Sequence, residues 1–232
     1  MRARSWIVPV FVLGFVPAGR GLSQGTFQNL NFEAAHNIPV FDPRGHAWSM
    51  PAVDALPGWT CYLGQDQIGW AWYEDVALDS AAVGIVSNTN GFVPAGFPVG
   101  GRYAVSLEFG LWPTTGVSAP ASIAQSGQIS SDARSIIFRG TYGFVVSFQG
   151  TTIPLAVLST LNSDHHIYGA DITQFAGQTG ELRITSYAHF NYLDDITFSS
   201  QPVPEPQSTA LGLLGLVGLA LWRSAKRRRI AE

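Results

Sequence analysis

Residues 144–153 read FVVSFQGTTI, and this stretch predicts a β-hairpin. Two runs rich in β-branched and aromatic residues flank Gln149 and Gly150. A two-residue loop that contains glycine between such runs is typical of a tight turn joining antiparallel strands.

The same pattern of short strands continues on both sides of the hairpin. Apolar or alternating runs are interrupted by Gly, Pro, Asn and Ser, and no long amphipathic helix emerges. We therefore predict an all-β sandwich. Residues 171–178 fit either a single helical turn capped by Asp171 or the end of a strand, and residues 34–57 predict a long surface loop. The other predicted strands are 27–33, 58–63, 68–73, 82–87, 102–109, 122–129, 134–139, 181–186 and 192–198, and the two runs of the hairpin extend over 144–148 and 151–158.

The charge balance of the chain limits its partners. Between residues 24 and 201 there are five arginines, no lysine and 14 acidic residues, which gives a net charge of −9. Such a surface repels phosphate backbones, so nucleic-acid binding is excluded as a function. A domain of this size can bury a core without metal or disulfide staples. The single cysteine, Cys61, has no partner in the chain, and strand alternation places it beside Trp59 and Leu63 as a buried thiol.

Residues 1–23 have the composition of a secretory signal peptide. Arg2 and Arg4 precede an apolar run over 6–18, and the small residues Gly21 and Ser23 suit a cleavage site before Gln24. The alternatives are an uncleaved anchor or a short buried helix, and two prolines within the run disfavour a long regular helix. In each case we expect residues 24–200 to be exported.

The last segment, residues 201–232, combines a proline-rich spacer, an apolar run and a basic cluster. Residues 208–222 predict a single transmembrane helix, and the following positive charges favour a cytoplasmic tail. The 13 apolar residues at 210–222 rise about 20 Å, which is shorter than the roughly 30 Å hydrocarbon core. The segment predicts a marginal anchor that leaves the acidic domain outside the cytoplasm.

The tail begins with Pro204-Glu205-Pro206 before the apolar run and the basic cluster, and this order resembles the PEP-CTERM sorting signal of bacterial exported proteins. The resemblance implies recognition by an exosortase-type processing enzyme, residence in the inner membrane before processing, and a final location at the cell surface or in the extracellular matrix. The alternative is an ordinary tail anchor with a chance Pro-Glu-Pro sequence. The residues assigned to the sorting signal are Pro204, Glu205, Pro206, Arg223, Lys226, Arg227, Arg228 and Arg229.

Three parts of the middle domain, residues 24–200, carry a second likeness: 29–33, then 175–178 followed by the strand 181–184, and 192–198. They resemble the first, penultimate and last strands of carbohydrate-binding-module-like jelly rolls of the galactose-binding type. The resemblance implies a jelly-roll β-sandwich and a structural calcium that ties the first strand to the last through Glu33 and Asp195. Carboxylate oxygens suit calcium. The alternative is that these two acids cap turns or face solvent, and in that case the domain has no cofactor.

Two tryptophans are the candidate ligand-binding residues. Trp70 and Trp72 alternate, so they share one face of a strand, where flat rings can stack on sugars. The alternative places both in the core. Exposure beside Asp66 or Glu74 favours the binding interpretation.

No catalytic residue is predicted. The adjacent acids Glu74-Asp75 and Asp194-Asp195 diverge on a strand, so neither pair can flank one glycosidic bond. The chain lacks a Gly-x-Ser-x-Gly elbow, and Asp164-His165-His166 predicts a solvated loop and not a metal site. We expect a non-catalytic adhesive, structural or carbohydrate-binding domain whose partners include polysaccharide or extracellular matrix. The alternative is a secreted polysaccharide-active hydrolase.

Overall fold

A computed structural model describes residues 25–39, 48–74, 79–88, 101–112, 114–161 and 165–203. The predicted signal peptide, transmembrane helix and Pro-Glu-Pro motif lie outside these residues. Among the described residues, no helix is long and apolar enough to cross a membrane.

The described residues form short strands with very little helix. One helical turn, α1, covers Ala52–Ala55, and a 3₁₀ turn covers Thr173–Phe175. The strands are β1 (Trp48–Pro51), β2 (Thr60–Leu63), β3 (Asp66–Ile68), β4 (Trp70–Tyr73), β5 (Ala82–Ser87), β6 (Tyr103–Glu108), β7 (Gly110–Trp112), β8 (Val117–Ala119), β9 (Ala121–Gln128), β10 (Ser135–Gly140), β11 (Phe144–Phe148), β12 (Thr151–Ile153), β13 (Ala156–Thr160), β14 (His166–Asp171), β15 (Thr179–Ser186) and β16 (Asn191–Ser199).

Two large sheets enclose one core, which confirms the all-β prediction. The first sheet has the order β1-β4-β5-β6-β16-β10-β14-β13, and the second has the order β12-β11-β15-β9-β2-β3. Strands β7 and β8 form a separate hairpin. A single cluster of buried side chains draws Ile85 and Leu107 from the first sheet and Ile123 and Ile184 from the second. Alternation along each strand therefore points one set of side chains into a shared interior.

The predicted hairpin is present. Phe148 pairs with Thr151 across the turn, and Gln149 and Gly150 both adopt left-handed conformations, with φ of 50° and 76°. These are the conformations that a type I′ turn requires.

The first predicted strand, residues 27–33, is wrong. The segment forms turns in which Asn29 and Phe32 adopt positive φ values of 48° and 58°. The side-chain oxygen of Asn29 accepts a hydrogen bond from the Ala34 N–H at 3.0 Å, and such local bonds compete with strand pairing. The segment nevertheless buries Phe27, Leu30 and Phe32 against the core, so its apolar residues pack without a strand.

Three other local predictions are corrected by the structure. The predicted surface loop at 34–57 contains β1 and α1, and Met50 and Leu56 are buried in the core. Gly69 and Pro154 each divide one predicted strand into two, consistent with the weak strand preference of both residues. Strand β14 was not predicted. Residues 171–178 contain both the strand end and the helical turn that the sequence allowed, because β14 ends at Asp171 and a 3₁₀ turn follows.

The sandwich has two distinct ends, the tail end and the tyrosine end. The tail end comprises residues 25–27, 128–135, 171–178 and 198–201, and it is where β16 finishes. The tyrosine end comprises residues 141–143 and 186–191, and it is where β16 begins. The eight residues of β15 run from one end to the other, a distance of about 26 Å.

Candidate functional site

Trp70 and Trp72 lie on the same face of β4, as the alternation predicts. Both rings are half-buried, while Ala71 and Tyr73 between and beside them are buried. The two rings pack edge to face with centroids 5.2 Å apart, and Trp70 also packs against the core. Much of their surface is therefore used within the fold, and their role in ligand binding stays a prediction.

The Glu33 carboxylate is hydrogen-bonded within the protein. Its Oε1 accepts hydrogen bonds from the backbone N–H groups of Arg102 and Tyr103, each at 2.8 Å. These charge-assisted bonds attach the first segment to the start of β6. One carboxylate oxygen is thereby occupied by protein donors.

Asp195 lies in a β-bulge in the last strand. The register between β10 and β16 shifts between Ile137 and Arg139, and Asp195 adopts a positive φ of 56°. The adjacent Ile196 N–H donates to the Leu30 carbonyl at 2.9 Å. A backbone hydrogen bond thus joins the first segment to the last strand, which is the connection that the family resemblance assigned to calcium.

A shallow cleft opens on the outer face of the first sheet beside this bulge. Its volume is about 50 Å³, and Arg139 and Asp195 face each other in it with Nε and Oδ2 3.6 Å apart. Pockets for small-molecule ligands are usually about 300–1,000 Å³, so the cleft is too small to enclose a sugar ring. It is lined by Ile137, Arg139, Ile167, Asp195, Thr197 and Ser199.

The described residues do not form an evident metal or nucleophile centre. Within them, no group of three or more His, Cys, Asp or Glu side chains is placed to hold a metal ion, and the calcium assignment to Glu33 and Asp195 stays a prediction. The prediction of a solvated loop at 165–166 is wrong, because His165 is buried and His166 begins β14. Asp164 lies outside the described residues.

Cys61 is buried in the core, as predicted. Burial raises the pKa of its thiol to about 12, because the thiolate would have to leave water. Trp59 and Leu63 are buried with it. A thiol in this state is inert as a nucleophile.

Tyr62 and Arg183 form a covered aromatic site on the outer face of the second sheet. The Arg183 guanidinium lies over the Tyr62 ring at 4.0 Å from its centroid, and its Nε donates to Glu181 Oε1 at 2.9 Å. This cation–π contact occupies one face of the ring, so that face is not available for stacking on a ligand.

Two tyrosines at the opposite end from the tail were not predicted. Tyr142 and Tyr187 are 57% and 58% exposed, and among the described residues neither ring has a stacking or hydrogen-bond partner. The loops that carry them are adjacent, because the Tyr187 N–H donates to the Gly143 carbonyl at 3.2 Å. Sequence reasoning missed the pair, since the two residues lie 45 positions apart and only the fold brings their loops together.

A buried polar network holds these two loops. The Thr141 hydroxyl donates to Asn191 Oδ1 at 3.0 Å and accepts the Tyr192 N–H at 3.0 Å. Asn191 Nδ2 in turn donates to the Ser186 hydroxyl at 2.8 Å, and the Tyr168 hydroxyl donates to the Thr141 carbonyl at 2.6 Å. Burial raises the pKa of Tyr168, so its phenol remains a donor at neutral pH. A satisfied buried network of this kind gives the loops a defined position.

Comparison with known proteins identifies the tail. Residues 202–229 match the PEP-CTERM protein-sorting motif, which confirms the sorting signal predicted over 201–232. The motif implies an exported protein that is anchored in the membrane and then processed by an exosortase-type enzyme.

The remaining comparisons do not assign the middle domain. No curated protein gives a significant match. Among solved structures, the chain is similar to the enzymatically active domain of bacteriophage CBA120 tailspike protein 4, with 15% identity and a TM-score of 0.36. That likeness covers 61% of this chain and 19% of the tailspike chain, and at this score it carries no information about activity.

Proposed function

We propose that this chain is an exported surface or matrix protein whose jelly-roll sandwich is a non-catalytic adhesive or carbohydrate-binding domain. In this proposal a signal peptide exports the domain, and the 208–222 helix holds it in the inner membrane until an exosortase-type enzyme processes the tail. The observation that carries the proposal is the sorting motif at 202–229, directly after a folded all-β domain.

The junction between domain and motif supports a folded domain held close to the membrane. The Gln201 carbonyl accepts a hydrogen bond from the Ser135 hydroxyl at 2.7 Å, so the sandwich holds the chain up to the residue before the matched motif. Residues 202–207 span at most about 20 Å when extended. While the tail is in the membrane, the tail end of the sandwich therefore faces it.

The cleft on the outer face of the first sheet supports a non-catalytic role at that position. A glycosidase needs two carboxyl groups about 5 to 9 Å apart across the substrate. Among the residues that line the cleft on the first sheet, one is acidic, Asp195, and its carboxylate faces Arg139. This arrangement offers a charge pair in place of an acid and a nucleophile.

The test is the intact mass and membrane fractionation of the protein in its native host. We expect the wild-type protein to lose its tail near the motif and to leave the inner membrane. A variant with Pro204, Glu205 and Pro206 replaced by alanine keeps its full mass and stays in the inner membrane. As a control, Gln201→Ala, whose side chain is exposed just before the matched motif, leaves processing intact.

Two outcomes contradict the proposal. If the wild type and the Pro-Glu-Pro variant both keep the tail in the membrane, the protein is a membrane-anchored exterior domain that is not processed. If purified wild-type protein releases reducing sugar from polysaccharide and an acid-to-amide variant does not, the domain is a hydrolase.

A further inference from the structure

The tyrosine end presents aromatic side chains that the fold itself does not use. Most large aromatic residues among the described segments are buried or packed against another ring, as in the stacks of Phe27 on Phe198 and Phe138 on Tyr168. Tyr142 and Tyr187 are more than half exposed and have neither kind of contact. Exposed aromatic side chains with no structural contact mark interaction surfaces.

The loops that carry these tyrosines are preorganised for binding. The Thr141, Asn191 and Ser186 network fixes both loop bases, and the Tyr187 N–H bonds the Gly143 carbonyl. Gly143 has a positive φ of 87°, and a Cβ at this position would lie 2.9 Å from the Ala188 Cβ, so the loops approach as closely as glycine allows. A surface already held in place loses little conformational entropy on binding.

The size of the exposed aromatic surface fits a small ligand unit. A tyrosine presents about 150–250 Å² in total, so two that are a little over half exposed offer roughly 200 Å² together. A stable protein partner usually needs about 800 Å² on each side. The surface therefore matches one or two sugar rings better than a protein interface.

The two loops that carry the tyrosines offer no acidic or strongly basic side chain of their own, His189 packs edge to face on the Phe109 ring, and Glu108 of the neighbouring β6 is buried. Residues 141–143 and 187–190 contain no Asp, Glu, Lys or Arg, although the domain as a whole has a net charge of −9. Phenol hydroxyls can exchange hydrogen bonds with sugar hydroxyls, while their rings cover apolar C–H faces. The chemistry of this surface is thus that of a receptor for uncharged saccharide.

We infer that Tyr142 and Tyr187 form a binding platform for a neutral polysaccharide, at the end of the sandwich farthest from the sorting tail. This inference rests on the carbohydrate-binding part of the proposed function and gives it a site. Stacking on aromatic rings tolerates variation in the sugar, so we expect moderate affinity and a preference for neutral over anionic chains.

The test measures retention of the full-length chain, purified in detergent, on insoluble polysaccharide. The probes are amorphous cellulose and the protease-treated neutral polysaccharide fraction of the host matrix, with alginate as the anionic comparison. We expect Tyr142→Ala combined with Tyr187→Ala to weaken retention on a neutral probe by about tenfold or more. The matched control is Val157→Ala, which removes a half-exposed apolar side chain from the edge strand β13.

Further variants separate failure of the site from failure of the function. Replacement of both tyrosines by Phe keeps the rings, and we expect retention within about threefold of wild type. If Trp70→Ala or Trp72→Ala abolishes retention while the tyrosine variants bind normally, the domain binds carbohydrate elsewhere and this site is wrong. If the wild type is sorted but is retained by neither neutral probe, or only before protease treatment of the matrix fraction, both the site and the carbohydrate role are wrong.

Discussion

The two ends of the sandwich use their side chains in opposite ways. At the tail end, Phe27 and Phe198 stack in the core, and Ser135 holds the chain at Gln201. At the tyrosine end, a buried network of comparable quality supports two rings that remain in solvent. A hydrogen-bonded, well-defined backbone therefore does not by itself indicate function, because both ends have one. What distinguishes them is whether an apolar group is left without a structural contact.

The largest expected effect is loss of the aromatic stack at the tail end. Phe198 is fully buried, so Phe198→Ala leaves a cavity and should cost about 3–5 kcal/mol of stability. Tyr187→Ala at the other end should change stability by less than about 0.5 kcal/mol, since its side chain is exposed. Urea denaturation of both variants measures the contrast. Equal losses would mean that Tyr187 is a structural residue and that the contrast between the ends is false.

The network at the tyrosine end should give the next largest effect. Thr141→Val removes the hydroxyl that joins Asn191 and the Tyr192 N–H, and leaving buried groups without a partner costs about 1–3 kcal/mol. Hydrogen exchange of the backbone N–H groups of Tyr187 and Asn191 should speed up in this variant while those near Ser135 stay protected. Uniform acceleration across the domain would show that the network does not act locally.

The free energy of unfolding should depend on pH through Cys61, which lies in the core between the two ends. The folded-state pKa of Cys61, about 12, exceeds its usual unfolded value of about 8.5, so stability is fully present below pH 8.5 and falls as the pH rises towards 12. When the pH is one unit above the pKa of the unfolded thiol, the free energy of unfolding should have fallen by about 1.4 kcal/mol.

Thermal unfolding of wild type and Cys61→Ala between pH 7.5 and 9.5 measures this dependence. Because Tyr192 also has a pKa raised to about 12, mainly by burial, both proteins should lose stability above pH 10. Only the wild type should lose it between pH 8.5 and 9.5. Identical profiles in that interval would mean that the thiolate is accommodated in the fold.

The smallest expected effect is that of calcium. Glu33 already accepts two backbone N–H groups and Asp195 faces Arg139, so we expect calcium and EDTA to give the same melting temperature within about 1 °C. Glu33→Gln should lower stability equally in both conditions, because it weakens the bonds to β6. A calcium-dependent rise in melting temperature that Glu33→Gln and Asp195→Asn abolish would establish the calcium site that the family resemblance implies.

The strands were largely predictable, because the preferences that define them are local. Strands such as β5, β11 and β15 alternate or concentrate apolar residues between turn-forming residues, and the 149–150 turn follows from its own two residues. The first segment was not predictable by this route. Leu30 and Phe32 alternate as in a strand, but Asn29 and Phe32 adopt left-handed conformations, and the Leu30 carbonyl bonds the Ile196 N–H of the last strand.

The sorting residues could be predicted from the sequence, whereas the proposed binding residues could not. The sorting motif is a contiguous sequence, so it can be recognised directly from the residues that begin at Pro204. The tyrosine pair has no such signature, because Tyr142 and Tyr187 follow strands distant in sequence and their exposure depends on which loops the fold joins. Trp70 and Trp72 could be predicted as a pair because they are two positions apart on one strand, yet the fold packs their rings against each other.

Processing and polysaccharide binding should be measured on the same variants expressed in the native host. We predict that the Pro204, Glu205 and Pro206 to alanine variant keeps its full mass but binds neutral polysaccharide like wild type once it is solubilised. We predict that Tyr142→Ala with Tyr187→Ala is processed normally but loses about tenfold in binding. Loss of both properties in either variant would contradict the assignment of sorting to the tail and of binding to the opposite end of the domain.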